Sequence, residues 1–312
     1  MASKSITLQI QPRGKPVKKL PTSVSLPPSA SVAQLYSSVA APTGFSVHRL
    51  RLTKGSDGTV IPNTADSSLD AAGLREQSTV VVKDLGPQIG WRTVFVIEYL
   101  GPILIHPLVF GVLRPYLYAD APEQASQLQT LSLLVVVAHF IKREIETLFI
   151  HRFSSATMPL RNLFKNSGHY WLLSGVNMAY WLYKPTSSAA AEPPNPVLLY
   201  PGLVLYGLSE IANFNVHVEL RNLRRSGTAE RGIPHGPLFS LVTCPNYLTE
   251  VLSWVGVYLI SGLNWSVLLF LAVSTAQMAQ WAVKKERRYR KEFGDKYKPK
   301  RYTMLPAALY LL

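Results

Sequence analysis

Residues 241–256 read LVTCPNYLTEVLSWVG, a segment apolar enough to lie in a membrane that nevertheless carries Asn246, Tyr247 and Glu250. An amide or carboxylate without a partner is costly in hydrocarbon, so polar residues in such segments normally face a bundle interior or a wet cavity. Asn246 and Glu250 are four residues apart and share one face of a helix, and Tyr247 borders that face. The segment therefore predicts a membrane helix whose first turns line a functional pocket.

The composition predicts an integral membrane protein. The 312 residues are 47% hydrophobic and 16% charged, with a net charge of +14 and a single cysteine, Cys244, which excludes an intramolecular disulfide. We expect an α-helical multi-pass membrane protein with about six to seven spans, each near the roughly 20 residues that a bilayer requires. The predicted spans cover residues 94–117, 128–150, 168–183, 196–217, 238–260 and 265–283.

The first part of the chain, residues 1–86, predicts a separate cytosolic domain ahead of a membrane-embedded domain at 87–312. Alternating apolar residues in SITLQIQPRG, FSVHRLRLT and STVVVKDL indicate strands, and SASVAQLYSSVA indicates a helix. With PVKKLPTSVSL as a return strand, the order strand, strand, helix, strand, strand resembles a ubiquitin-like β-grasp domain; another small α+β domain is the alternative. No Gly-Gly tail follows Leu85, so we interpret the domain as a docking or regulatory module.

The distribution of Lys and Arg predicts the orientation in the membrane. With the front domain in the cytosol, thirty of the 32 Lys and Arg residues are cytosolic, and Arg114 and Lys184 lie on the other side. Cytoplasmic segments of membrane proteins carry such an excess. Attraction to anionic lipid is a simpler explanation for many of these basic loops. From the distribution of Lys and Arg, we expect both termini to be cytosolic.

Polar residues of several predicted spans collect at the cytosolic end. Glu98 lies one turn into the first span, Asn215 and His217 close the fourth, and Tyr247 and Glu250 open the fifth. Together with the basic loops, these residues predict a cavity that opens to the cytosol and admits an anionic cofactor. The sequence has no G-x-G-x-x-G motif, so a Rossmann domain is not the expected source of cofactor binding.

Four longer segments resemble those of a known family. They are KREIETLFIHRFSSATMPLRNLFKN, NFNVHVELRNLR, CPNYLTEVLSWVG and KKERRYRKEFGDKYKPKRYTMLP, and they are similar to the trans-2-enoyl-CoA reductases of the endoplasmic reticulum, in the steroid 5-alpha-reductase superfamily. The resemblance covers nearly the whole chain. It implies NADPH-dependent reduction of a trans-2-enoyl-CoA to the saturated acyl-CoA, the last step of very-long-chain fatty acid elongation, which also connects to sphingolipid metabolism.

The resemblance also implies the location and the partners. It places the protein in the endoplasmic reticulum membrane with the condensing enzyme, the ketoreductase and the dehydratase of fatty acid elongation, and no nucleic acid is expected to bind. By position it implies these cofactor-binding residues: Asn215, His217, Arg221, Arg224, Asn246, Glu250, Arg287, Tyr289 and Tyr297. The catalytic residues that it implies are Tyr247, Glu98 and Gln88. Steroid-reducing relatives have another aromatic residue at the place of Tyr247, which favours the acyl-CoA branch.

The chemistry of the reaction suggests what Tyr247 would do. A hydride that reaches the β-carbon of an unsaturated thioester moves negative charge onto the thioester oxygen, where a hydrogen-bond donor lowers the barrier. A phenol stays protonated at neutral pH and can donate a hydrogen bond or its proton. Whether Glu98 or Glu250 orients this phenol or binds the cofactor stays open at this point.

Two other functions are compatible with the sequence. A 5-alpha-reductase of a steroid or polyprenol enone would use the same hydride chemistry on a neutral substrate. A non-catalytic membrane scaffold would recruit partners through the front domain, but it would leave Tyr247 and Glu250 without a purpose inside the membrane.

Other polar residues have simpler interpretations. Isolated His106 and His139 are expected to make hydrogen bonds between helices. Glu144 and Glu146, together with Lys142 and Arg143, are expected to form a charge cluster at a helix end. The sequence has no H-E-x-x-H or similar spacing, so we expect no metal site.

Overall fold

A computed structural model describes residues 5–119, 124–153, 156–223 and 232–306. The chain forms two compact units, one of Met1–Gly90 with Ala156–Asn162 and one of Trp91–Ser155 with Leu163–Leu312. The first unit contains a mixed sheet and one helix. The second is helical and contains every candidate site residue in the described part of the chain except Gln88.

The sheet of the first unit has four strands: β1 (Ile6–Pro12), β2 (Ser23–Leu26), β3 (Leu50–Lys54) and β4 (Thr79–Asp84). Their order in space is β2-β1-β4-β3, with the central pair β1 and β4 parallel and both outer pairs antiparallel. Helix α1 (Val32–Ala40) lies between β2 and β3 in sequence, so the predicted order of elements is confirmed.

Local chemistry explains where α1 starts and how it packs. The Ser31 hydroxyl accepts from the Gln34 backbone N–H, while the Gln34 side chain accepts from the Ser31 N–H, which satisfies two free donors at the helix start. Leu35 of α1 is fully buried with Leu8 and Leu52 of the sheet. At the edge of the sheet, Arg49 forms a bidentate ion pair with Asp84. Two further strands, β5 (Gln88–Gly90) and β6 (Thr157–Pro159), pair separately.

The second unit is built from helices that overlap the predicted spans in sequence, and the segment predicted as one span at 238–260 forms two helices. Their bounds are α2 (Trp91–Leu108), α3 (Arg114–Leu117), α4 (Gln127–Ile145), α5 (Arg161–Ser167), α6 (Met178–Leu182), α7 (Pro196–Asn222), α8 (Pro237–Leu241), α9 (Pro245–Ile260) and α10 (Trp265–Phe293). Wider π-helical turns occur at Val109–Leu113, Glu146–Ile150 and Gly168–Asn177. Of the described helices, three segments are long and apolar enough to cross a membrane: Trp91–Leu117, Pro196–Asn222 and Trp265–Lys296.

Helices α7 and α9 approach each other very closely, and glycines make this possible. A Cβ atom added at Gly256 would lie 2.7 Å from the Tyr206 backbone nitrogen and 2.9 Å from the Gly202 carbonyl oxygen. Small residues at such contacts let helix backbones pack tightly in membranes. The contact sets the position of α9, which carries Asn246 and Tyr247 in its first turn.

This close contact predicts that Gly256→Ala destabilises the helical unit. The new methyl group meets backbone atoms, which cannot rotate away, so we expect a loss of about 1–3 kcal/mol. The measurement is the thermal unfolding midpoint of the detergent-solubilised protein. Gly207→Ala is the matched control, because nothing lies within 4 Å of a Cβ there and alanine favours the helix. Equal midpoints for the two variants would contradict the role given to Gly256.

Candidate active site

A cavity of about 360 Å³ lies at one end of the helical unit. Its wall is formed by the start of α2, the residues after α4, the end of α7, the start of α9 and the last part of α10. Aromatic and basic side chains alternate around it, among them Trp91, Phe95, Arg143, Arg152 and Lys285. A cavity of this size and lining suits a ligand that combines flat rings with negative charge.

Five residues that the sequence proposed for the site line this cavity. They are His217 and Arg221 from α7, Asn246 and Tyr247 from α9, and Tyr289 from α10. These residues span 72 positions of sequence, from His217 to Tyr289. They meet because the ends of α7 and α10 contact the start of α9 in one place. The grouping of the three separate motifs in one wall therefore follows from helix packing.

Other proposed residues lie elsewhere in the helical unit. Glu98 of α2 is 1% exposed, and no described residue donates a hydrogen bond to its Oε1 atom. Glu250 binds residues of neighbouring helices, and Tyr297 is buried against Glu286. Asn215 and Arg287 are exposed and do not line the cavity.

Two proposed residues fall outside this unit or outside the described residues. Gln88 belongs to β5 of the first unit, where its amide nitrogen donates to the carbonyl oxygens of Leu85 and Gly86. Arg224 lies in the segment 224–231, which is outside the described residues.

The start of α9 presents two polar side chains to the cavity. The Oδ1 atom of Asn246 is buried, and no described residue donates a hydrogen bond to it, so an acceptor without a donor lies beside the cavity. The ring of Tyr247 packs 6.4 Å from the Trp281 ring, and the Lys285 Nζ atom lies 5.8 Å from its centroid. The aromatic and cationic neighbours hold the phenol at the cavity wall.

The C-terminal tail holds the segment before α9. The backbone N–H groups of Thr243 and Cys244 donate to the carbonyl oxygens of Tyr302 and Thr303, at 3.2 and 2.9 Å. Next to these bonds, the buried Glu286 Oε2 atom accepts from the Thr243 hydroxyl at 2.5 Å. The tail therefore contributes to the position of Tyr247, which follows four residues after Thr243.

Tyr297 is part of the same buried contact. Its hydroxyl donates to the Glu286 Oε2 atom at 2.6 Å, and its ring is 5.5 Å from the ring of Tyr289. Burial, reinforced by the Glu286 carboxylate, raises the pKa of Tyr297, so the phenol is a protonated donor at neutral pH. Its hydroxyl is committed to this bond.

A buried polar cluster joins α4, α7 and α9 behind the cavity. His139 of α4 lies 2.7 Å from Glu210 Oε1 through Nδ1 and 3.2 Å from Glu250 Oε1 through Nε2. Lys142 donates to Glu210 Oε2 at 2.7 Å and to Asn213 Oδ1 at 2.8 Å. The prediction that His139 bonds between helices is confirmed. The same holds for His106, which bonds Tyr183 and Ser174.

A second ion-pair cluster lies at the cavity wall itself. Glu146 Oε2 accepts from Arg143 at 2.8 Å and lies 2.9 Å from His217 Nδ1, while Arg143 also donates to the Tyr99 hydroxyl at 2.9 Å. The predicted charge cluster is confirmed for Lys142, Arg143 and Glu146, which form a buried contact with α2 and α7. The Oε2 atom of Glu144, the fourth predicted member, has no hydrogen-bond partner among the described residues. One sequence signal marks this face. Counted from His139, the residues Lys142, Arg143 and Glu146 follow at 3, 4 and 7 positions, which is the spacing of one helix face.

Three possible metal ligands also meet here. One ligand atom each from Glu146, His151 and His217 lies within 4.8 Å of the others. Three such ligands suit zinc. However, the Arg143 guanidinium and the Lys142 ammonium lie 2.8 and 3.5 Å from the two oxygens of this carboxylate, so they compete with a metal cation.

Comparison with known proteins identifies the family. A family model described as 3-oxo-5-alpha-steroid 4-dehydrogenase matches residues 156–309. The chain is 39% identical to the very-long-chain enoyl-CoA reductase of Dictyostelium discoideum, over 94% of this chain and 96% of that protein. It is also 39% identical to the probable very-long-chain enoyl-CoA reductase art-1 of Caenorhabditis elegans, over 80% and 82%.

A third relative is the trans-2,3-enoyl-CoA reductase-like protein of Mus musculus, which is 31% identical over 74% of this chain and 64% of that protein. Similarity at these levels over nearly the full length of two relatives exceeds what a shared fold alone produces. The chain therefore belongs to the very-long-chain enoyl-CoA reductase family, among the proteins related to 3-oxo-5-alpha-steroid 4-dehydrogenase.

Proposed function

We propose that the protein reduces the trans-2 double bond of a long-chain enoyl-CoA with NADPH, the last step of very-long-chain fatty acid elongation. The names of the relatives support the substrate class. The observation that carries the proposal is the wall of the cavity, where Tyr247 and Asn246 lie among basic side chains and the buried Asn246 oxygen has no donor among the described residues. These groups match a reaction that needs a proton donor and a bound anionic cofactor.

Tyr247 is proposed as the catalytic residue. NADPH, when bound, supplies the hydride that reaches the β-carbon of the substrate. The Tyr247 hydroxyl would donate a hydrogen bond to the thioester oxygen, where negative charge develops, and give its proton to the α-carbon, and the phenolate that remains would take a proton back from water. Arg143 and Lys285 in the same wall also favour negative charge in the cavity.

The remaining proposed site residues differ in the support that they receive. Asn246 offers a side-chain acceptor for an amide donor such as the nicotinamide carboxamide, and Arg221, His217 and Tyr289 are in the wall where phosphates and sugar hydroxyls would bind. Glu98 remains a candidate through its unbonded carboxylate oxygen. Roles for Gln88, Asn215, Arg224 and Arg287 rest on the sequence resemblance.

Glu250 and Tyr297 are better explained as residues that support the site. Both carboxylate oxygens of Glu250 face partners inside the bundle, and the Tyr297 hydroxyl binds Glu286. We propose that they hold α9 and the tail in place. Cofactor contacts, as the sequence suggested, are the alternative.

We also propose a location and an architecture. The protein is a multi-pass protein of the endoplasmic reticulum membrane with both termini cytosolic, and it works with the other elongation enzymes. The three apolar helices and the Lys and Arg distribution support membrane insertion and orientation. The strand order β2-β1-β4-β3, with one helix packed on it, supports a ubiquitin-like front domain.

The first test measures NADPH oxidation by the purified protein with a long trans-2-enoyl-CoA. We expect Tyr247→Phe to reduce turnover about 100-fold or more, because general acid catalysis typically contributes this much. NADPH should bind equally well, since the ring remains. Tyr258→Phe on the same helix is the control, and it should leave turnover unchanged because Tyr258 is outside the cavity wall.

A steroid enone is assayed in parallel, because the matching family model carries a steroid description. Oxidation of NADPH with the steroid alone would replace the proposed substrate. Failure of the folded protein to bind NADPH would contradict the enzymatic proposal and favour a scaffold. Full turnover by Tyr247→Phe would remove Tyr247 as the proton donor.

A second test separates the two roles of Tyr297. If the role of the Tyr297 hydroxyl is to donate a hydrogen bond to Glu286, Tyr297→Phe lowers the free energy of unfolding by about 1–3 kcal/mol, because the buried carboxylate loses a donor. The KM for NADPH then changes little. A direct cofactor contact instead predicts a raised KM with unchanged stability. Arg288→Gln is the control, because it breaks an exposed ion pair with Glu292 that contributes about 0.5 kcal/mol or less.

A further inference from the structure

His139 is placed as a bridge between two carboxylates from different helices. Its side chain is 2% exposed, Nδ1 faces Glu210 of α7, and Nε2 faces Glu250 of α9. Ionised carboxylates accept hydrogen bonds and donate none, so an imidazolium, with a proton on each ring nitrogen, is the form of His139 that satisfies both contacts when both carboxylates are ionised. In this form His139 links α7 to α9 from its position on α4.

The charges of this group balance. His139 and Lys142 provide two positive charges, and Glu210 and Glu250 provide two negative charges, all within direct contact. Breaking such a buried group leaves a charge without its partner, which costs far more than loss of a surface ion pair. The group therefore fixes the relative positions of its three helices.

A chain of hydrogen bonds connects this group to the cavity. Asn213 Nδ2 is 3.4 Å from Glu250 Oε2 and 2.9 Å from the Asn246 carbonyl oxygen. Asn246 lines the cavity, and Tyr247, the next residue, also lines it. The position of Glu250 thus determines how the first turn of α9 faces the cavity.

We propose that His139 is a positioning residue for the active site: by holding Glu250, it fixes Asn246 and Tyr247 in the geometry that binds cofactor. The inference rests on the proposed function, because the ligand of the wall is taken to be NADPH. Glu210 shares this role as the second anchor of the imidazolium. Neither residue touches the cavity.

Two substitutions at this position separate its two contacts. In His139→Asn the amide nitrogen takes the place of Nδ1, so the bond to Glu210 can form and the bond to Glu250 is lost. In His139→Gln the amide nitrogen takes the place of Nε2, so Glu250 keeps its donor and Glu210 still has Lys142. Both variants remove the same charge and differ in which carboxylate keeps its partner.

Two readouts follow the position of α9. The first is the dissociation constant of NADPH, which we expect to rise about tenfold in His139→Asn and to change less than about threefold in His139→Gln, as for loss of one supporting hydrogen bond. The second needs no cofactor. Cys244, the single cysteine of the chain, is buried just before α9, and its thiol should react faster with a maleimide in His139→Asn than in His139→Gln.

His106→Asn is the matched control. His106 is also a buried histidine that bonds across helices, to Tyr183 and Ser174, but it does not line the cavity. We expect a lower unfolding midpoint with unchanged NADPH binding and Cys244 reactivity.

The outcomes distinguish the inference from the proposed function. Equal Cys244 reactivity in the Asn and Gln variants would overturn the positioning role, whatever the cofactor. A wild-type protein that binds no NADPH, with Cys244 reacting faster in His139→Asn, would keep the positioning role and overturn the cofactor assignment. Differing Cys244 reactivity with equal NADPH affinity in both variants would show that the geometry of α9 does not govern binding, and would also overturn the inference.

Discussion

The helical unit depends on one constraint: charged side chains buried among apolar helices must find partners of opposite charge. Lys142 of α4 lies 2.7 Å from Glu210, and Arg143 lies 2.8 Å from Glu146, which is also 2.9 Å from His217. Packing of apolar side chains is not directional, whereas these bonds tolerate little rotation or sliding of a helix. The ion pairs therefore decide which faces of α4, α7 and α9 meet, and the apolar core fills the space between them.

Helix α9 is held from three directions, and each uses a different interaction. Glycine contacts bring α7 against its middle, the imidazolium of His139 holds its second turn through Glu250, and the tail bonds the residues before its start. Sites that bind or react with precision need such support, because small displacements weaken binding and catalysis. Tyr247 gains its fixed position from residues that do not line the cavity.

The sequence was sufficient to predict the helices and part of the cavity wall. Asn246 and Tyr247 were found because polar residues are rare in apolar segments. The contacts that Glu250 and Tyr297 make were not predictable in the same way, because helical periodicity shows which residues share a face but not which neighbour that face meets. Neither His139 nor Glu210 stands out within its own segment of sequence. The two residues are 71 positions apart, and only the packing of the helices brings them into contact.

The same geometry favours a side chain as the donor that we propose for this site. Oxyanions are often stabilised by backbone N–H groups at the start of a helix. Here the N–H groups of Thr243 and Cys244 already donate to tail carbonyl oxygens, and Pro245 has none. The hydrogen bonds to the tail thus stabilise the start of α9, but they occupy these two backbone N–H donors. The Tyr247 hydroxyl, in the first turn and at the cavity wall, offers both a hydrogen bond and a transferable proton, which a backbone amide does not.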